Sequence, residues 1–202
     1  FKSLGHQVSH LPLLSIDKVD YEQINFLDFK GIIFTSANAV KFLDLKKIDK
    51  NILCFCVGNA TEKKARSVGF QNLIAAEGNV ENLKELILQN FDQKDGKLIY
   101  VSGEITSMDL NHQLIKEGYN IKKIVNYRTT HNLKFEESFV KELKLKIPDM
   151  VYVYSQNTAL SFLNFIKIYR FETLWMNTNL MCIGEKTSSI LNEIKWKKIF
   201  LF

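Results

Sequence analysis

The sequence predicts an α/β protein made of two related domains with parallel sheets, and three observations lead there. Short apolar runs alternate with helical patterns over most of the 202 residues. Two S-x-N turns, at Ser36 and Ser155, each follow an apolar run and open a helical segment. Two G-x-x-T turns, Gly58 to Thr61 and Gly184 to Thr187, do the same, 22 residues after Ser36 in the first copy and 29 after Ser155 in the second. Strands and helices joined by such short turns imply parallel pairing with right-handed crossovers. The repeated order of the two motifs implies two copies of the unit.

In chain order, Phe1 and Leu4 read as the end of a helix, Gly5 as a turn, and Val8 as the middle of a short strand running into Leu11, Pro12 and Leu13. Pro12 lacks the N–H that a central strand needs, so a crossing point or linker is expected there. Ile32, Ile33 and Phe34 form a buried strand that enters the polar turn Thr35, Ser36, Ala37, Asn38, followed by an amphipathic segment with Ala39, Val40, Phe42 and Leu43. A strand from Ile52 to Val57 meets Gly58, Asn59, Ala60 and Thr61, and the helix that follows ends at Gly69, a good C-terminal cap. A brief strand at Asn72 to Ala75 precedes a helix capped by Asn79, with Val80, Leu83, Leu86 and Ile87 on one face. The strand Leu98 to Val101 ends at Ser102 and Gly103, ahead of a helix that reaches Lys116 and stops at Gly118; Ile121 to Val125 make a fifth strand.

The pattern then restarts. A helix from Phe135 to Leu145 is followed by Pro148, a strand from Met150 to Tyr154, the Ser155 turn, a helix through Ile168 and a strand from Leu180 to Ile183. Gly184, Glu185, Lys186 and Thr187 repeat the earlier glycine turn, and Ile199 to Phe202 form a last strand. The opening FKSLGHQV enters mid-pattern, so the first residues of a natural protein and a terminal helix are expected to be missing.

Composition narrows the function classes. The 46% hydrophobic and 24% charged content is that of an ordinary soluble protein, and no apolar run approaches the ~18 residues that span a bilayer, so no membrane partner is expected and a cytoplasmic location is. The net charge of +5 comes from scattered lysines, which permits an acidic partner. Without an arginine-rich arm, a zinc finger or an aromatic RNA-binding signature, no nucleic-acid partner is expected. Cys54, Cys56 and Cys182 lie in apolar strand-like runs and read as reduced core residues. His6 and His10 straddle a turn, and His112 and His131 lack acidic or cysteine neighbours at metal spacing, so no metal is assigned. Lone Asp and Glu residues form no recognisable catalytic pair, and neither G-x-G-x-x-G nor G-x-x-x-x-G-K-[ST] occurs, which argues against dinucleotide and nucleotide triphosphate binding.

What remains is a set of strand–turn–helix junctions, of which GIIFTSANAV is the clearest. Such a junction points unpaired backbone N–H groups and a positive helix end at one spot, where a carboxylate or phosphate can settle. The second-half VYVYSQNTAL repeats it.

FTSANAV, VGNAT, KLIYVSGE, IVNYRT, VYSQNTAL and IGEKT, in this order and spacing, resemble the uroporphyrinogen-III synthase family, and together they cover nearly the whole chain. The resemblance implies two flavodoxin-like α/β domains joined by two extended linkers: a discontinuous domain of residues 1–11 and 131–202, an inserted domain of 15–124, and linkers at 12–14 and 125–130. It implies a cofactor-free, monomeric lyase that closes the linear tetrapyrrole hydroxymethylbilane into uroporphyrinogen III with inversion of its last ring. The family usually opens with a strand and an Arg-containing turn that this sequence lacks.

For a substrate bearing eight carboxylates, the turns of Thr35, Ser36 and Asn38, of Gly58, Asn59 and Thr61, and of Ser102 and Gly103 would hold one part, and those of Ser155, Gln156 and Asn157 and of Gly184 and Lys186 another. Each contact of a helix end with an exposed carboxylate contributes about 0.3–1 kcal/mol, so recognition needs many together. Asn38 stands where some members carry a basic residue. By resemblance Tyr127, of the Y-x-T segment, is the candidate general acid, and Thr187 the other hydroxyl of the site. The structural alternatives are a linker tyrosine packing between domains and, for Thr187 and the serine turns, plain helix capping. A non-catalytic two-domain protein closing on an anionic ligand would use the same turns.

Overall fold

The computed structural model describes residues 2–202, with only the backbone of Lys2; the expectation for Phe1 lies outside the described residues. The chain divides into two compact units, one holding the residues up to Ser15 together with Thr130–Phe202, the other Ile16–Thr129. Both are α/β.

The larger unit is built around central strands that are largely apolar because both of their faces are covered. β1 (Leu14–Lys18), β2 (Phe29–Phe34), β3 (Leu53–Val57), β4 (Leu73–Ala76), β5 (Lys97–Gly103) and β6 (Ile121–His131) form one sheet in the order β1-β6-β5-β2-β3-β4. The β2–β3, β2–β5, β3–β4 and β5–β6 pairs are parallel. Register aligns Ile32 with Cys54 and Ile99, and Ile33 with Phe55 and Tyr100. Since side chains alternate along a strand, Ile32, Phe34, Cys54, Cys56, Ile99 and Val101 pack into one core cluster, and Ile33, Phe55, Leu98 and Tyr100 into another across the sheet. Helices α1 (Ala37–Lys41), α2 (Gly58–Ser67), α3 (Val80–Asn90) and α4 (Leu110–Lys116) connect the strands. Asn79 caps α3 through a reciprocal box with Asn82.

The second unit has helix α5 (Glu137–Leu145), strand β7 (Met150–Val153), helix α6 (Gln156–Tyr169), strand β8 (Asn179–Cys182), helix α7 (Glu185–Leu191) and strand β9 (Lys198–Leu201). Its three strands run parallel in the order β7-β8-β9. Val153, Leu180 and Cys182 pack with Phe162, Phe165 and Ile166 of α6 and with Trp175 and Trp196 in a single aromatic-rich cluster.

Some expectations need correction. Residues 6–13 hold no strand: a proline and a tight turn, Leu13 N donating to Leu11 O at 2.9 Å, prevent pairing around Val8, and the first strand starts at Leu14. The strand expected to stop at Val125 continues to His131. The helix after Gly103 starts only at Leu110, where Asp109 accepts a hydrogen bond from His112 N at 3.1 Å. The remaining elements lie within a few residues of their expected places.

The three cysteines are free and buried. Cys54 and Cys56, two apart on β3, share a face with their sulfurs 3.7 Å apart. That contact, together with burial, pushes the Cys54 thiol far above its ordinary range and keeps it protonated. Among the described residues no helix is long and apolar enough to cross a membrane.

Candidate functional site

In the larger unit, parallel pairing brings the ends of β6, β5, β2 and β3 to one edge, and the candidate residues collect there because each follows its strand. Thr35 and Ser36 leave β2, Gly58 and Asn59 leave β3, Ser102 and Gly103 close β5, and Tyr127 stands on β6 in register with Gly103. In the smaller unit β7 and β8 run parallel with Val153 beside Cys182, so the turns that begin at Ser155 and Gly184 share an edge. Open parallel sheets bind ligands at this carboxyl-terminal edge.

The two turn types differ in what they leave free. Ser36 and Ser155 cap their own helices: Ser36 Oγ accepts from Asn38 N at 3.2 Å and Ser155 Oγ from Thr158 N at 3.1 Å. The helix at Ser36 is five residues long, so the helix end expected there carries only a weak dipole. The glycine turns have no side-chain cap on α2 or α7. Gly58 and Gly184 adopt φ of +74° and +79°, and a Cβ on either would meet nothing within 4 Å. The helix starts at the glycine turns are therefore the ones that no side chain caps, although the Gly184 N–H itself donates to Cys182 O at 3.0 Å.

Several candidate hydroxyls are turned inward. Thr61 and Thr187 are buried, and Thr187 Oγ1 donates to Ile183 O at 3.4 Å. Ser102 is fully buried and donates to Gly103 O at 3.1 Å. Asn38 is half-buried; Asn59, Gln156, Asn157 and Lys186 are exposed. Asn157 O accepts from Ser161 Oγ, which also meets His131 Nδ1.

Tyr127 is half-buried, and its ring lies against the bare backbone of Gly103. Glu104 N donates to Tyr127 O at 3.0 Å, fixing the strand at that point. Immediately before it, fully buried Asn126 donates from Nδ2 to Ala39 O at 2.7 Å. Helix α1 is too short to supply that carbonyl with a donor from its own next turn, and Asn126 takes the place of one.

Sequence reasoning missed Tyr100, whose hydroxyl lies 3.0 Å from Thr35 Oγ1. Burial raises the Tyr100 phenol above the ordinary tyrosine range, the bond with Thr35 opposes that, and Tyr127 and Asp109 add to the rise. Nothing in KLIYVSGE separates this tyrosine from its apolar neighbours. Asn126 did carry a signal, a polar residue inside an apolar strand run. A depression of about 510 Å³ lined by Phe91, Gln93 and Tyr119 sits instead beside the end of α3, among residues that lead into the start of β5, and bears none of these groups.

Comparison with known proteins places this geometry. A family model described as uroporphyrinogen-III synthase HemD matches residues 1–200. A crystal structure of uroporphyrinogen-III synthetase from Helicobacter pylori superposes with a TM-score of 0.67 at 20% identity, covering 93% of this chain and 84% of that one. A mutant uroporphyrinogen III synthase from the extremely thermophilic bacterium Thermus thermophilus gives 0.60 at 16% identity, covering 98% and 85%. At such identities the likeness carries the fold: two α/β units with parallel sheets. No curated protein matches the chain. With its model spanning nearly every residue, the family is settled, and the chain belongs to the uroporphyrinogen-III synthases, cyclising lyases of haem biosynthesis.

Proposed function

We propose that this chain cyclises hydroxymethylbilane to uroporphyrinogen III, inverting the last ring, as a monomer in the cytoplasm without metal or cofactor. The observation that carries the reading is the family match over residues 1–200. The three free, buried cysteines suit a reducing compartment. A non-catalytic binder of anionic ligands is not favoured by that match.

The substrate is long, flexible and rich in carboxylates, so its reacting ends must be gathered and held. Uncapped N–H groups at the Gly58 and Gly184 turns can each take a carboxylate oxygen, and the exposed Lys186 adds a positive charge beside the second. Departure of the terminal hydroxyl as water leaves an azafulvene, which the far pyrrole attacks at its substituted carbon through a spirocyclic intermediate. Holding the chain in that geometry can supply much of the preference over simple closure.

Tyr127 donates the proton that leaves with the hydroxyl, and its ring is seated by Gly103. Thr187 and Ser102, with buried and internally bonded hydroxyls, shape their turns while backbone groups nearby meet substrate. Freshly generated hydroxymethylbilane given to the purified protein, with isomers I and III resolved, tests the reading. An excess of isomer III over the spontaneous isomer I is expected, and its absence overturns the proposal. Tyr127→Phe should lower kcat by about 10²-fold or more with a smaller change in KM; an unchanged kcat removes Tyr127 as the acid.

A further inference from the structure

We propose that Tyr100 is a positioning residue of this site, acting through Thr35 to make the Thr35 hydroxyl a hydrogen-bond donor to a substrate carboxylate. The inference rests on the reading above and adds to it a residue that the family resemblance does not supply. Tyr100 lies on β5 opposite Ile33 of β2, so its side chain shares a sheet face with Ile33 and, two residues further on, Thr35. Its ring is 1% exposed and packs with Ile33, Phe55, Leu98 and Leu110, while its hydroxyl reaches the strand end and meets Thr35 Oγ1 at 3.0 Å.

Direction follows from burial. A phenol in an apolar core must place its hydrogen on an acceptor, because leaving it unpaired is costly. Thr35 Oγ1 is the acceptor that Tyr100 meets, and the neutral phenol persists because burial disfavours the phenolate. With Tyr100 donating, the half-buried Thr35 uses a lone pair on the phenol and keeps its own hydrogen for another acceptor. At the edge where the Ser36 and Gly58 turns also end, that acceptor is a carboxylate oxygen of the substrate. Phenylalanine in place of Tyr100 would keep the strand and the ring packing but could not orient Thr35.

A double-mutant cycle tests this with variants that keep the packing. Tyr100→Phe, Thr35→Val and the double variant are compared in steady-state turnover of hydroxymethylbilane and in binding of uroporphyrinogen III, with circular dichroism as a check on folding. Tyr100→Phe should raise KM and the product Kd about three- to tenfold, the scale of one hydrogen bond, with kcat changed less. The double variant should match Thr35→Val, because Tyr100 has nothing left to orient. Additive effects in the double variant, or a Tyr100→Phe protein with parental constants, overturn the proposal. A parent that binds uroporphyrinogen III without forming it from hydroxymethylbilane overturns the catalytic reading alone, and the cycle in Kd still decides on Tyr100. A parent that binds neither compound overturns both.

Discussion

A Cβ on Gly103 would lie 2.6 Å from Tyr127 Cζ, 2.8 Å from Cε2 and 2.9 Å from Oη. The glycine is therefore required by a close approach, in a strand whose backbone any residue could adopt. Gly103→Ala is expected to push the Tyr127 ring aside. Because a side chain yields more easily than backbone, the stability loss in urea unfolding should stay near the lower end of about 1–3 kcal/mol. The proposed acid would be misplaced by an ångström or so, which can lower kcat by about 10²-fold. Parental kcat in a folded Gly103→Ala protein would separate the ring position from the chemistry. The contrast is Gly58→Ala, where nothing within 4 Å blocks the methyl and only the positive φ opposes it. Gly103 and Tyr127 were both legible in the sequence as candidates, but their contact was not. It depends on β5–β6 pairing and on the irregularity between Ser102 and Gly103 that brings Gly103 opposite Tyr127.

The elements most legible in the sequence were those whose burial is complete. β2, β3 and β5 are covered on both faces and read as apolar runs. β1 is different: Leu14–Lys18 is mostly exposed, carries no apolar alternation, and could not be told from a linker. The end of β6 was missed for a similar reason, since exposed Arg128, Thr130 and His131 carry no burial pattern although the backbone stays extended. The repeat of serine and glycine turns was visible as spelling, while the difference between capped and open helix starts required hydrogen-bond geometry. Helix α6 ends in a way the sequence did not announce. Arg170 adopts φ 57° and ψ 56°, and its N–H and that of Phe171 close on Ile166 and Lys167 carbonyls. A left-handed residue with a Cβ is strained by about 1–2 kcal/mol, and glycine avoids this at some entropic cost in the unfolded chain. Arg170→Gly should therefore raise stability by about 0.5–1 kcal/mol, read as a higher urea midpoint at unchanged slope. A lower midpoint would show that the Arg170 side chain contributes more than the strain costs.

Each hydrophobic cluster belongs wholly to one unit, and at the scale of the whole molecule this decides how unfolding should look. The two clusters on either face of the larger sheet draw only on residues between Ile24 and Ile124. The third cluster draws on Leu13 and on residues from Val140 to Trp196, and it contains both tryptophans of the chain, Trp175 and Trp196. Tryptophan emission therefore reports the smaller unit alone, while far-ultraviolet circular dichroism reports helices and strands of both. Ile33, fully buried at the centre of the larger sheet, gives a way to load one unit. Ile33→Ala should destabilise the larger unit by about 2–5 kcal/mol through lost burial and the cavity left behind. In urea the circular dichroism transition should then broaden or split, its first part moving to lower concentration, while the fluorescence midpoint stays near its parental value. Equal shifts in both probes would mean that the chain unfolds as one cooperative body, with separate cores that nonetheless melt together.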